Sequence, residues 1–121
     1  MKMISRFGLG LLLSSSLVTA HADDVKIGMI TTLSGGGSHL GVDVRDGFML
    51  ALEQSGRDDV EVLIQDDANR PDLARSLANE FMQRDEVDIL TGIIWSNLAM
   101  AVVPTVTRQG TFYLSPNAGP S

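Results

Sequence analysis

Short apolar runs recur along the chain at intervals that suit alternating strands and helices. The first run, Val25–Thr31, carries Lys26 as its only charge and predicts a mostly buried strand. Apolar and polar residues alternate over residues 60–65, and residues 87–94 are apolar apart from two positions, so both segments also predict strands. Phe112–Leu114 predicts the start of a fourth strand.

A helix is predicted between the first two strands. A glycine- and serine-rich loop over residues 33–41 precedes Val44, Phe48 and Leu52, which recur at helical intervals. The helix is expected to end at Gly56, since glycine is a favoured left-handed terminator.

Two further helices are predicted downstream. Pro71, a residue well suited to a first helical turn, opens a segment whose apolar residues recur over residues 73–82. The third helix is expected to run from Ser96, as its N-cap, to about Gln109. Pro104 lies inside it and is expected to kink or shorten it.

This order predicts an α/β fold in which a parallel sheet carries helices on both faces, because βαβ connections are right-handed. The pattern calls for another helix after the fourth strand to cover the sheet. We therefore expect residues 23–121 to form the N-terminal part of an incomplete domain.

The first 22 residues have a different composition from the rest. They contain Lys2 and Arg6 without an acidic residue, then a 14-residue apolar run and an A-x-A site at residues 20–22. A membrane span needs roughly 20 apolar residues, whereas these features are typical of a secretory signal peptide. We predict that residues 1–22 direct the chain to the secretion machinery and are cleaved, which leaves a periplasmic protein.

The composition of the chain excludes several kinds of partner and functional site. The net charge of −6 disfavours a nucleic-acid partner, whose phosphates attract Lys- and Arg-rich surfaces. The chain has no cysteine, which excludes disulfides, thiolate metal ligands and a cysteine nucleophile. No cofactor or metal is expected.

The glycine-rich loop has three interpretations. Gly35, Gly37 and Gly41 form G-x-G-x-x-x-G, one residue longer than the dinucleotide-binding fingerprint, and Asp66 or Asp67 would then hold a ribose. Export disfavours a nicotinamide cofactor, and the imperfect motif is weak. A strand-to-helix turn, or a loop that closes over a small ligand, fits better.

The other polar residues offer little for catalysis. Asp66 and Asp67 make a poor cage for a hard metal ion without a third ligand, so turn and capping bonds are the preferred role. His39 is the only histidine of the mature chain, and a triad would need it beside Ser96 or Ser115. Neither serine lies in a nucleophile elbow, so a hydrolase is unsupported.

Ligands of parallel sheets bind beyond the carboxyl ends of the strands, where residues 34–41, 95–97 and 115–121 are expected to lie. Ser96 at a helix start would offer a hydroxyl, free N–H groups and the positive end of the helix dipole, which suits a carboxylate. The turn at residues 117–119 would add further polar groups. Trp95 is expected either to pack or to form a platform for the ligand.

Several of these motifs occur together in one known family. In chain order they are Leu33-Ser34-Gly35, Gly41, Asp46-Gly47, Asp66-Asp67, Pro71, Gly92, Ser96, Pro104 and Ser115-Pro116-Asn117-Ala118. The series resembles the first lobe of the type I periplasmic solute-binding proteins, above all the branched-chain amino acid (leucine-binding) family of ABC importers. The closing turn is similar to the branch associated with aromatic and other carboxylates.

The resemblance implies a non-enzymatic receptor that closes two lobes around its ligand and then docks on a membrane permease. It implies that Ser96 binds the ligand carboxylate, that residues 117–119 add main-chain contacts and that residues 39–40 line the cleft. The candidate ligand-binding residues are His39, Leu40, Trp95, Ser96, Asn97, Asn117, Ala118 and Gly119. A secreted α/β enzyme of the hydrolase type and a sensory ectodomain with the same fold remain alternatives.

Overall fold

A computed structural model describes residues 24–117, so the signal peptide predicted at residues 1–22 lies outside the described residues. Three helices alternate with four strands. In chain order they are β1 (Val25–Thr31), α1 (Ser38–Ser55), β2 (Val60–Asp66), α2 (Pro71–Gln83), β3 (Ile89–Thr91), α3 (Ser96–Arg108) and β4 (Phe112–Leu114). The predicted α/β class is confirmed.

The four strands form one parallel sheet in the order β2-β1-β3-β4. The long pairing joins β1 and β2 from Val25 opposite Val60 to Thr31 opposite Asp66. Because the chain turns from β1 to one side and from β2 to the other, right-handed crossovers put α1 on one face and α2 with α3 on the opposite face. Helices on both faces are thus confirmed.

The main core lies between the sheet and the pair α2 and α3. Gly28 and Ile30 of β1 point to this side, since a Cβ on Gly28 would lie 2.6 Å from the Phe81 ring and Ile30 belongs to the same apolar cluster. The buried residues that the two helices contribute are Ala74, Leu77, Ala78, Phe81, Leu98, Val102 and Val106. Their helical spacing is the one that the sequence predicts.

The opposite face is covered by α1 alone within the described residues. Side chains alternate along a strand, so Met29 and Thr31 point to this face, and Gly41 is the only residue of α1 that is buried. Leu50 of α1 is 53% exposed, and Phe112 at the edge strand β4 is 62% exposed. This face of the sheet is therefore only partly covered.

The elements differ from the prediction at the start of α1 and at Pro104. α1 begins at Ser38, inside the segment predicted as a loop over residues 33–41, because Gly37 adopts the left-handed conformation at its N-cap (φ 81°). β3 occupies three residues of the apolar segment 87–94, since the chain leaves the strand geometry at Gly92 (φ 104°). α3 continues through Pro104 to Arg108, so the expected shortening is wrong.

The remaining boundary signals behave as predicted. Gly56 ends α1 with φ 65°, and Pro71 stands in the first turn of α2. No helix in residues 24–117 combines the length and the apolar character that a membrane crossing requires.

Candidate functional site

The carboxyl edge of the sheet gathers the polar segments that follow the strands. The connection after β1 crosses to one face of the sheet and the connection after β2 crosses to the other, so a crevice opens between the ends of β1 and β3. Such a switch point is the usual ligand site of open parallel sheets. Three groups of residues occupy it: the acidic turn after β2, the segment before α3 and the turn after β4.

Asp66 closes the loop after β1. Its Oδ1 accepts hydrogen bonds from the backbone N–H groups of Leu33 and Ala68, both at 2.8 Å. Burial by itself would raise the pKa of Asp66, but the nearby Ser34 hydroxyl and these N–H groups outweigh burial and hold the pKa below the usual range. The predicted turn-bonding role is confirmed.

Asp67 is fully buried and joins different partners. Its Oδ1 accepts from the Thr32 hydroxyl at 2.6 Å and from the Asn69 N–H at 2.8 Å. Burial raises the pKa of Asp67, and the negative charge of Asp66 adds to the effect, although both hydrogen bonds oppose it. Its Oδ2 is buried without a donor in the described part of the chain.

Trp95 packs inward rather than forming an open platform. Its Nε1 donates to the Thr32 hydroxyl oxygen at 2.9 Å, and a Cβ on Gly37 would lie 2.5 Å from the indole ring. The ring therefore fills the space that a glycine at position 37 leaves. The structure shows the packing role predicted for Trp95, and its contact with a ligand stays a prediction.

The start of α3 differs from the prediction in one respect. Trp95 is the N-cap residue, in an extended conformation (φ −98°, ψ 132°), and Ser96 is the first helical residue. No side chain caps this helix, so the prediction of Ser96 as N-cap is wrong. Ser96 and Asn97 are exposed, and the first N–H groups of the helix have no intrahelical acceptor.

Asn117 ties the turn after β4 to this region. Its Nδ2 donates to the Ile94 carbonyl at 3.0 Å, while the Ser115 hydroxyl donates to the Asn117 carbonyl at 2.6 Å. Farther into the sheet, the Thr91 hydroxyl donates to the Leu114 carbonyl at 2.7 Å. The ends of β3 and β4 are thus held together by side-chain bonds as well as by the strand pairing.

A shallow cleft of about 220 Å³ opens at this edge between α1 and the turn after β4. Its lining residues are Leu40, Asp43, Val44, Ile94, Pro116 and Asn117. The walls are mainly apolar, with one carboxylate and one amide. Two larger hollows of about 440 Å³ lie elsewhere, along α1 around Met49 and at the opposite end of β4 around Tyr113, away from the strand ends where ligands of this fold bind.

The structure brings together some of the candidate site residues. Leu40 and Asn117 line the cleft, and Trp95, Ser96 and Asn97 follow Ile94 of its wall. His39 lies in the first turn of α1 rather than in a loop, and it is exposed and outside the lining of this cleft, so its ligand contact stays a prediction. The candidates Ala118 and Gly119 lie outside the described residues.

Sequence analysis missed Asp43 and Val44, which line the cleft from α1. With the helix starting at Ser38, Leu40, Asp43 and Val44 follow the i, i+3, i+4 spacing of a single helix face. Gly37, as a glycine in the N-cap position, was the sequence signal that could have predicted this earlier helix start. The sequence analysis also missed Thr32, which no motif marks.

The site does not assemble catalytic or cofactor chemistry from residues 24–117. His39 makes no hydrogen bond to a serine or a carboxylate there, and the same residues hold no cluster of three metal-ligating side chains. Oδ1 of Asp66 is engaged by backbone N–H groups, and Asp67 is buried. What remains is a polar strand edge beside an apolar cleft, the arrangement of a small-molecule binding lobe.

Comparison with known proteins assigns this lobe to a family. The family model described as periplasmic binding protein matches residues 24–121. The chain therefore belongs to the periplasmic binding protein family, as its sequence resemblance predicts. No curated protein matches it.

Solved structures with the same fold are ABC transporter substrate-binding proteins. One from Sphaerobacter thermophilus is 33% identical over 80% of this chain and 27% of its own, with a TM-score of 0.77. A Rhodopseudomonas palustris solute-binding protein in complex with benzoate is 28% identical over 79% of this chain and 28% of its own (TM-score 0.74). A branched-chain amino acid transporter protein from the same species is 26% identical over 78% and 28% (TM-score 0.73).

The chain thus spans less than a third of the length of these relatives. They are substrate-binding proteins rather than enzymes.

Proposed function

We propose that the chain forms part of the periplasmic solute-binding component of an ABC importer, and that it contributes one wall of a cleft that captures a small carboxylate. It acts as a receptor and not as an enzyme, and delivers its ligand to a membrane permease. The N-terminal 22 residues serve as its export signal. Family membership and the substrate-binding relatives support this assignment.

The observation that carries the carboxylate proposal is the start of α3. Ser96 is exposed there, no side chain caps the helix, and Ile94, two residues earlier, lines the cleft. A carboxylate at this position would accept from the Ser96 hydroxyl and from the first N–H groups of the helix, and would gain from the helix dipole. We propose that Asn97 and Asn117 add polar contacts, that Ala118 and Gly119, which lie outside the described residues, add main-chain contacts, and that His39, one residue before Leu40 of the cleft wall, takes part from α1.

The apolar walls suit the body of the ligand. Leu40, Val44 and Ile94 would contact either an aromatic ring or a branched aliphatic side chain. The relatives include one solved with benzoate and one described as a branched-chain amino acid transporter. We propose that the ligand belongs to one of these two classes of carboxylate.

Substitution of Ser96 tests the anion site. Ser96→Ala in the full-length protein removes one charge-assisted hydrogen bond, about 1.5–3 kcal/mol, so the Kd for the carboxylate should rise by about 10- to 100-fold. Ser96→Asp places a negative charge against the ligand and should weaken binding further. Calorimetric titrations with benzoate and with leucine measure both variants.

Stability and affinity are separable in this test because the Ser96 side chain caps nothing. Ser96→Ala should leave the urea midpoint close to that of the wild type. Ser76→Ala, at an exposed serine of α2, is the matched control and should change neither quantity. Wild-type affinity in both Ser96 variants would place the carboxylate elsewhere.

A further inference from the structure

Three side chains from separate segments form a hydrogen-bonded series at the carboxyl edge, here termed the Trp95 relay: Trp95, Thr32 and Asp67. Trp95 Nε1 lies 2.9 Å from Thr32 Oγ1, which lies 2.6 Å from Asp67 Oδ1. Thr32 lies 63 positions before Trp95 and 35 positions before Asp67 in sequence. Thr32 follows β1, Asp67 follows β2 and Trp95 precedes α3. The relay therefore connects the segment before α3 to the turns after β1 and β2, which the Leu33–Asp66 and Asp67–Thr31 hydrogen bonds already join to each other.

The chemistry of the groups sets the direction of both bonds. An indole N–H can only donate and an ionised carboxylate can only accept. Thr32 must then accept from Trp95 and direct its single proton to Asp67. The short O–H···O distance of 2.6 Å is typical of a bond to a charged acceptor.

Burial strengthens the hydrogen bonds of the relay and imposes a desolvation cost on the Asp67 carboxylate. Thr32 and Asp67 are both fully buried, and hydrogen bonds in such surroundings polarise one another. The second oxygen of Asp67 is buried without a donor among the described residues, which carries a desolvation cost. Asp66 closes the neighbouring turn from a more exposed position without that cost, so turn closure alone does not explain a buried carboxylate at Asp67.

Trp95 is where the relay meets the cleft. It is the N-cap residue of α3, and its ring lies against Gly37, the N-cap residue of α1. Leu40 of α1 and Ile94, the residue before Trp95, both line the cleft. The indole ring therefore lies between the start of α1 and the start of α3, next to two residues of the cleft lining.

We propose that Asp67 is a positioning residue: through the Thr32 hydroxyl it orients the Trp95 indole and so sets the separation of α1 and α3 across the cleft. The ligand role of that cleft rests on the proposed function. Asp67 does not touch the ligand. Its charge polarises the Thr32 hydroxyl and makes the Thr32 oxygen a better acceptor for the indole N–H.

The sequence contains one tryptophan, so the indole N–H gives a single resonance that reports on the relay without any ligand. In ¹H–¹⁵N spectra of the chain, Asp67→Asn should shift this resonance upfield and speed its exchange with water, because a neutral acceptor weakens the series. Thr32→Val should remove its protection altogether. Thr32→Ser keeps the hydroxyl and should restore the wild-type resonance.

Asp66→Asn is the matched control, since it neutralises the adjacent carboxylate outside the relay. Because Asp66 acts on Asp67 only through its charge and reaches Thr32 only through the adjacent Leu33 N–H, this substitution should shift the indole resonance less than Asp67→Asn does. Urea unfolding of each variant separates positioning from stability, because a merely structural Asp67 would lower the midpoint and leave the indole signal of the folded protein as it was. An unchanged resonance in Asp67→Asn, or an equal shift in Asp66→Asn, would overturn the proposal.

Ligand titration distinguishes this proposal from the proposed function. In the full-length protein, Asp67→Asn should raise the Kd for benzoate or leucine by about fivefold, the difference between a charge-assisted and a neutral hydrogen bond. If the wild type binds neither carboxylate, the proposed function fails while the ligand-free indole spectra still decide the role of Asp67. If the wild type binds and Asp67→Asn binds equally well, the positioning role is wrong.

Discussion

The two faces of the sheet bury different shares of the helices that cover them. α2 and α3 cover one face, and α1 covers the other. Seven residues of α2 and α3 are buried, whereas Gly41 is the only such residue of the longer helix α1. α2 and α3 also pack extensively against each other, while the main packing partner of α1 in the described part of the chain is β1. Helical length therefore does not measure what a helix contributes to stability.

The two faces also hold their helices by different means. On the α2 and α3 face, large side chains such as Phe81 fill the space between helix and sheet. On the α1 face, a glycine lets the helix backbone approach the chain at Thr32, where an added Cβ would overlap the Thr32 carbonyl. The α2 and α3 face is held by large apolar side chains, and the α1 face by a close backbone approach that only a residue without a side chain allows. Substitutions can test the two faces separately.

Removal of Phe81 should have the largest effect. Phe81 is 1% exposed, and Phe81→Ala should lower the free energy of unfolding by about 3–5 kcal/mol, through lost burial and the cavity left behind. Phe81→Leu should cost less and keep the chain folded if the alanine variant does not fold. Urea denaturation followed by circular dichroism measures both.

Leu50→Ala on α1 is the control for the other face. Leu50 is 53% exposed, so its loss should change stability by no more than about 0.5 kcal/mol. A loss at Leu50 as large as that at Phe81 would show that the α1 face is packed as tightly as the other, against this comparison.

Gly41 and Gly47 form a matched pair within α1. Gly41→Ala should destabilise the fold by about 1–3 kcal/mol, because the helix must move away from Thr32 to accept the methyl group. Gly47 has no atom within 4 Å of the position of an added Cβ, so Gly47→Ala should stabilise by about 0.5–1 kcal/mol, as alanine loses less backbone freedom on folding. Thermal unfolding of both variants should give Tm shifts of opposite sign, and equal shifts would contradict the close approach at Gly41.

The smallest expected effect concerns the neighbouring carboxylates Asp66 and Asp67. The pKa of Asp66 is lowered by folding, so its stabilising contribution is present above the ordinary aspartate pKa of 3.8 and disappears as the pH falls through the lower folded value. The pKa of Asp67 is raised, so its contribution has the opposite trend: it is full below 3.8 and is lost as the pH rises through the raised value.

Urea midpoints at a series of pH values from acid to neutral test this contrast. The cost of Asp66→Asn should grow as the pH rises, and the cost of Asp67→Asn should shrink. Parallel trends for the two variants would show that the more exposed and the buried carboxylate do not differ in protonation.

Much of the fold followed from sequence because local patterns were consistent with it. Apolar spacing over residues 73–82, Pro71 at the start of α2 and Gly56 after α1 predicted those elements within a few residues. The errors fell where glycine conformation decides the path. After Gly37, α1 starts within the predicted loop of residues 33–41, and Gly92 ends β3 within the apolar segment 87–94, because a positive φ leaves no periodic signal in neighbouring residues.

The candidate site was predicted in part. Sequence predicted that residues 34–41, 95–97 and 115–121 lie at the strand ends, because a parallel sheet brings its carboxyl ends to one edge whatever its details. The family resemblance implied that Leu40 lines the cleft, where the structure places it. Sequence also favoured turn bonding for Asp66 and Asp67, since aspartate commonly accepts from nearby N–H groups. These are properties of short segments and of chain direction, and the sequence by itself determined them.

The pairing of Trp95 with Thr32 and of Thr32 with Asp67 was decided only by the tertiary structure. The two residues of the first pair lie 63 positions apart in sequence, and those of the second pair 35. In an unfolded chain, threonine, aspartate and tryptophan have many other donors and acceptors within reach. Strand order placed their turns side by side, and burial then selected the one arrangement in which the indole N–H and the hydroxyl proton both find an acceptor.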